Sequence, residues 1–117
     1  MNTVRIIDRG ELLACMDSGM AMSLIEALPE RDYNEAHLPG AIRLNHDEVR
    51  ERASELLPDR DALVVAYCAS ATCRNSHMAA GTLASLGYTQ VAVYAQGKQD
   101  WIDAGLPVER SPAAMSA

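Results

Sequence analysis

The chain has 117 residues, 49% of them hydrophobic and 22% charged. That is the size of one domain, with too much apolar content for a disordered chain. Ten basic against 16 acidic residues leave a net charge of −6. Nucleic acid is therefore not expected as a partner, because phosphate binding needs clustered Lys and Arg. No apolar run approaches the ~18 residues of a membrane span. The longest, Ala62 to Ala71, is broken by Ser70. The three cysteines are an odd number, and residues Met1 to Asp8 show no signal-peptide pattern. Both features predict a reducing, cytoplasmic setting with at least one free thiol. No His/Cys grouping has zinc spacing, so neither a metal nor another cofactor is expected.

In chain order, Asp8 and Glu11 form a capping box that starts a helix at Arg9, stopping near Gly19. Met22 to Ala27 reads as a buried strand ended by Pro29. Glu30 to Ala36 is a short polar helix or turn, and Pro39-Gly40 is a turn signal. Ala41 to Leu44 is a brief strand. Asn45 and Glu48 suggest a second capping box, ahead of Val49, Ala53, Leu56 and Leu57 on one helical face; Pro58 closes that helix. Ala62 to Tyr67 is apolar without alternation, as a strand covered on both faces requires. A helix follows from about Asn75 to Leu86, with Gly87 in the left-handed position after it. Val91 to Tyr94 is a strand, and Gly97 to Ala104 a last helix ended by Gly105 and Pro107. Strand-helix alternation with short connections predicts a parallel sheet in an α/β domain spanning residues 1–110. Residues 111–117 lack any pattern and read as a disordered tail.

The chemistry concentrates in Cys68-Ala69-Ser70-Ala71-Thr72-Cys73-Arg74. Cys68 ends the most buried strand, and a helix starts a few residues later. Open α/β sheets bind ligands at that place. Small residues let the backbone aim N–H groups inward as an anion nest, and the helix N-terminus adds partial positive charge. Both favour thiolate over thiol, which makes Cys68 the expected nucleophile. Ala69, Ser70, Ala71, Thr72, Cys73 and Arg74 are the expected substrate-binding residues. Asn75 and Ser76 suit the N-cap of the following helix. Cys73 is expected to point away from Cys68, with the pair reduced. Cys15, on a helix's apolar side, reads as packing, and so does Trp101.

Several blocks together resemble the rhodanese-like family over most of the chain. They are Leu24 to Ala27, Tyr33 to Ala41 around His37-Leu38-Pro39-Gly40, Val65 to Cys68, Val91 to Gly97, Trp101, and Gly105 to Val108. The resemblance implies a rhodanese-like fold, a five-stranded parallel sheet with helices on both faces. It also implies a cysteine, here Cys68, that carries sulfane sulfur as a persulfide. His37 precedes the Pro-Gly turn of the pattern and reads as structural. Glu26 and Leu28 stand where the family usually has Asp and Arg, and Ala36 and Gln96 where it usually has Gly. Five residues separate Cys68 from Arg74 where the family usually has four.

The expected function is a sulfurtransferase of the thiosulfate type. Cys68 would take sulfur from thiosulfate or a small persulfide and pass it to a thiol, a protein acceptor or cyanide. The seven-residue loop from Cys68 to Arg74 also resembles the loops of phosphatases and arsenate reductases on the same fold. A binding module without catalysis is the third reading. A monomer or weak homodimer is expected, with no membrane or nucleic-acid partner.

Overall fold

The computed structural model describes residues 4–111. Five parallel strands form one sheet in the order β1-β5-β4-β2-β3. The strands are β1 (Val4–Ile7), β2 (Met22–Glu26), β3 (Ile42–Arg43), β4 (Leu63–Tyr67) and β5 (Val91–Tyr94). The helices are α1 (Arg9–Asp17), α2 (Glu30–Glu35), α3 (Val49–Leu56), α4 (Asn75–Ser85) and α5 (Gly97–Asp103). The expected fold class is therefore present, and each predicted strand and helix has its counterpart.

Successive strand side chains alternate between two cores. Val64 and Ala66 of β4 and Val91 and Val93 of β5 pack with Ala53 of α3 and Leu83 of α4. Leu63, Val65 and Tyr67, with Ala92 and Tyr94, pack instead with Leu12 of α1 and Trp101 of α5. Every residue of β4 is buried. A strand flanked by layers on both faces has no polar side to present, which is why its sequence shows no alternation.

β1 was not among the predicted strands. Among the described residues it is an edge strand that pairs only with β5. Arg5 and Ile6 are exposed on it, and only Ile7 is buried. Four residues with a charge among them give neither a continuous apolar run nor clean alternation.

The Asp8–Glu11 capping box forms as expected: Asp8 accepts from the Glu11 N–H, and Glu11 accepts from the Asp8 N–H. The second expected box does not. Asn45 accepts from the His46 N–H, a short 3₁₀ turn covers His46–Glu48, and the Glu48 carboxylate turns back to Arg43 at 2.6 Å. A buried-side guanidinium is a stronger partner for that carboxylate than one backbone N–H. Gly87 ends α4 in the expected left-handed conformation, at φ 96°.

Of the tail expected over residues 111–117, only Ser111 is described, and it is tied down: its N–H donates to Asn34 O at 3.2 Å. Residues 112–117 lie outside the described residues. The closing segment is also held by His37. The His37 and Glu109 backbones exchange two hydrogen bonds, of 2.9 and 2.8 Å. The His37 ring stacks on Tyr33 with centroids 3.8 Å apart, and its Nδ1 lies 2.8 Å from Tyr33 O. His37 is thus structural, as its place in the motif implied. Trp101 is buried and donates from Nε1 to Pro107 O at 2.7 Å.

Candidate functional site

Cys68 follows β4 directly, at the carboxyl edge of the central strand. It is 1% exposed. The loop beyond it is clamped from α5, where the Lys98 N–H donates to Cys68 O at 2.8 Å and the Gln99 N–H to Ala69 O at 2.9 Å. Gly97 makes that approach possible. Its φ is +76°, and a Cβ there would lie 2.8 Å from Ser70 N and 2.9 Å from Cys68 O. A side chain at position 97 would collide with backbone and strain its own. The loop then turns back on itself, with the Cys73 N–H donating to Ser70 O at 3.1 Å.

The seven predicted site residues are contiguous and form one loop between β4 and α4. Ala69, Ala71, Thr72 and Arg74 are exposed, while Ser70 and Cys73 are half-buried. Ser70 and Thr72 hydroxyls pair at 3.1 Å. Arg74 stands at the start of α4 with no ion pair among the described residues.

Three expectations about the loop are corrected. Asn75 and Ser76 do not cap α4; Arg74 occupies the cap and makes no side-chain cap bond. Ser76 lies within the first turn instead and faces inward, 1% exposed, where its hydroxyl accepts from the Cys68 thiol at 3.3 Å. Its N–H is also directed at the Cys68 sulfur. The second correction concerns Cys73. Expected to stand apart from Cys68, its thiol instead acts on that of Cys68 and opposes its ionisation. Both remain free thiols. The third is the thiol's acidity. Burial first, and the Cys73 thiol second, push Cys68 above the ordinary thiol value, while the Ser76 hydroxyl and N–H pull it down without prevailing. The loop's N–H groups and helix start were expected to win, but a sulfur so fully removed from water resists becoming charged.

Behind the loop lies a polar cluster that sequence reasoning missed. Glu26, the last residue of β2, is fully buried. Lys98 Nζ donates to Glu26 Oε2 at 3.1 Å, Asp32 O at 3.0 Å and Ala36 O at 2.7 Å. Tyr67 OH donates to Glu26 Oε1 at 2.7 Å and accepts from the Leu38 N–H at 3.0 Å. Burial raises the Glu26 pKa, opposed by Tyr67 and Lys98. The cation near this carboxylate therefore comes from α5, whereas position 28 holds a buried leucine. A lysine just after Gly97 was the available signal, but nothing local ties it to Glu26, 72 residues earlier.

On comparison with known proteins, the model of the Rhodanese-like domain matches residues 8–104. The HTH-type transcriptional regulator Rv0324 of Mycobacterium tuberculosis is 36% identical over 103 residues, covering 88% of this chain and 44% of the relative. The thiosulfate sulfurtransferase PspE of Escherichia coli is 38% identical over 64 residues, or 55% of this chain and 59% of that protein. The chain thus spans about half the length of these curated relatives. The solved structure of a rhodanese with anions from E. coli superposes with a TM-score of 0.66 at 30% identity, covering 78% of this chain and all of that one. No helix among the described residues is long and apolar enough to cross a membrane. With the sheet order, the cysteine at the end of β4 and the matched family model in agreement, this chain belongs to the rhodanese-like domain family.

Proposed function

We propose that the chain is a sulfurtransferase that carries sulfane sulfur on Cys68. The observation that carries this reading is the placement of one buried thiol at the end of the central strand, met by the Ser76 hydroxyl and N–H under a loop of small residues. Family membership and the likeness to a thiosulfate sulfurtransferase support it.

In the first half-reaction, the Cys68 thiolate attacks the outer sulfur of thiosulfate. A bond forms between Sγ and that sulfur, the S–S bond of thiosulfate breaks, and sulfite leaves with the electron pair. Arg74 is exposed at the loop's end with no ion pair among the described residues, so its guanidinium can bind the departing sulfonate oxygens. Ser76 holds Sγ in place and stabilises negative charge on it. In the second half-reaction an acceptor thiolate, on a small molecule or a protein, or cyanide takes the outer sulfur and returns Cys68 as thiolate.

The oxyanion-enzyme reading is less well supported. A phosphatase needs a general acid to protonate its leaving group, and no residue from Cys68 to Arg74 is acidic. The test is intact mass after incubation with thiosulfate under anaerobic conditions. The protein is expected to gain one sulfur atom or to release it as sulfide, with neither event in Cys68→Ala. A folded protein that turns over aryl phosphate and takes up no sulfur from thiosulfate or polysulfide would overturn the assignment.

A further inference from the structure

The backbone of Cys68 belongs to a circuit of bonds that closes on itself. Tyr67, the residue before Cys68, donates from its OH to Glu26 Oε1 at 2.7 Å. Cys68 O accepts from the Lys98 N–H at 2.8 Å. Lys98 Nζ donates to Glu26 Oε2 at 3.1 Å, which returns the path to its start. The circuit is dry, with Glu26 fully buried and the Lys98 side chain 12% exposed. It is also anchored, since Nζ donates to Asp32 O in α2 at 3.0 Å and to Ala36 O just after it at 2.7 Å. α5 has no side-chain cap. The carbonyls of Cys68 and Ala69 take the N–H groups of Lys98 and Gln99 instead, donors that a helix start leaves without an acceptor. In a trans peptide unit the C=O and N–H point opposite ways. Both carbonyls face α5, so the Ala69 and Ser70 N–H groups are turned away from it. Neither has an acceptor among the described residues.

We propose that Glu26 and Lys98, acting through Tyr67 and the Lys98 N–H, are positioning residues for Cys68. They fix the peptide planes that carry its thiol and the first N–H groups of the loop. The proposal deepens the sulfurtransferase reading and rests on it for the reacting sulfur. The Cys68 thiol itself donates to Ser76 and to none of these side chains, so they act through the backbone and not on the reacting atoms. With the circuit intact, a donor meets a thiol and N–H groups already aligned. With it open, the two peptide planes after Cys68 can turn, and the alignment must be recovered in each turnover.

The test uses two variants of the full chain. Glu26→Gln with Lys98→Met removes both charges together and leaves no unpaired ion in the core. Tyr67→Phe deletes one hydroxyl and keeps the aromatic side chain. Amide hydrogen exchange and single-turnover sulfur loading are measured well below the Tm of each variant. In the double variant, exchange of the Lys98 and Gln99 N–H groups is expected to accelerate about tenfold relative to the amides of β4. The limiting rate of loading is expected to fall about tenfold to a hundredfold, with half-saturating thiosulfate changed less than about twofold. Tyr67→Phe is expected to move both readings the same way by a smaller factor, and it decides the matter should the double variant not fold. Lys98 and Gln99 amides as protected as in the wild type overturn the proposal whatever the chemistry does. Freed amides beside an unchanged limiting rate overturn the positioning role. So does a rise in half-saturating thiosulfate at an unchanged limiting rate, which moves the cluster to substrate binding. Failure of the wild type to take up sulfur from thiosulfate or inorganic polysulfide overturns the sulfurtransferase reading and the role in loading, while the exchange data still show whether the circuit holds the loop.

Discussion

Two polar clusters sit side by side at the carboxyl ends of β2 and β4, and they are built on opposite plans. In the cluster of Glu26, Tyr67 and Lys98, each side chain is engaged with the others or with backbone: Lys98 donates to three acceptors, Tyr67 both donates and accepts, and Glu26 accepts on both oxygens. In the loop from Cys68 to Arg74, Arg74 has no ion pair among the described residues, and the Cys68 thiol donates only to Ser76 among them. The first cluster has no capacity left for a ligand, and the second has kept it. The Lys98 N–H on Cys68 O joins the two, so a saturated cluster positions an unsaturated one. A scaffold of this kind reduces the reorganisation needed when substrate arrives.

The contrast breaks most severely at Lys98. Lys98→Met leaves the Glu26 carboxylate buried without its cation, which should cost about 3–5 kcal/mol at neutral pH. The sign with pH follows from Glu26. Its folded pKa lies above the unfolded value, so the stability linked to its protonation is present in acid and lost as pH rises through the folded pKa. Removing Lys98 raises that pKa further. The deficit in urea unfolding should therefore shrink as pH falls from 7 toward 5. A deficit independent of pH would mean that Lys98 acts by packing alone.

Gly97→Ala tests the joint between the clusters. A left-handed alanine whose Cβ meets three backbone atoms under 3.0 Å should lower stability by about 2–3 kcal/mol and slow sulfur uptake as well. Unchanged uptake beside a lowered Tm would separate the clamp from the chemistry. Arg74→Ala sharpens the other side of the contrast. Because its guanidinium holds nothing else, the variant should keep its Tm while KM for thiosulfate rises about tenfold, or ~1.4 kcal/mol. A falling Tm with unchanged KM would move Arg74 into the scaffold.

The smallest effect concerns acidity. Cys68 stands above the ordinary thiol value, so its alkylation by iodoacetamide should keep accelerating as pH rises past 9. Cys73→Ser removes one of the two groups that push it up and should shift that profile to lower pH. A plateau below neutrality in the wild-type protein would restore the expectation of a resting thiolate.

How far these regions were legible differs for physical reasons. The loop is continuous in sequence, so Cys68 to Arg74 could be found from strand end, small residues and helix start. β4 and β5 announce themselves because burial on both faces leaves only apolar residues and a tyrosine at the end of each. The scaffold cluster is assembled from residues 26, 67 and 98, and no local pattern joins them. Glu26 and Leu28 stand where the family usually has Asp and Arg, but the replacement cation lies on another helix. The inward turn of Ser76 was hidden by its suitability as a cap, and its true partner lies eight residues back. The influence of Cys73 on Cys68 depends on how the four residues between them curl, which composition does not specify.

The place of β1 governs the order in which this chain matures. Its sole neighbour among the described strands is β5, with Val4 opposite Val91. A ribosome must therefore add the whole of β2 to β4 and their helices before the earliest strand finds its mate. During that interval β1 waits unpaired, and a contact of such long sequence separation is slow to form. Closure of the sheet is thus a late event in folding. The helix that clamps the Cys68 loop follows β5 in sequence, so the loop acquires its clamp at about the time the sheet completes.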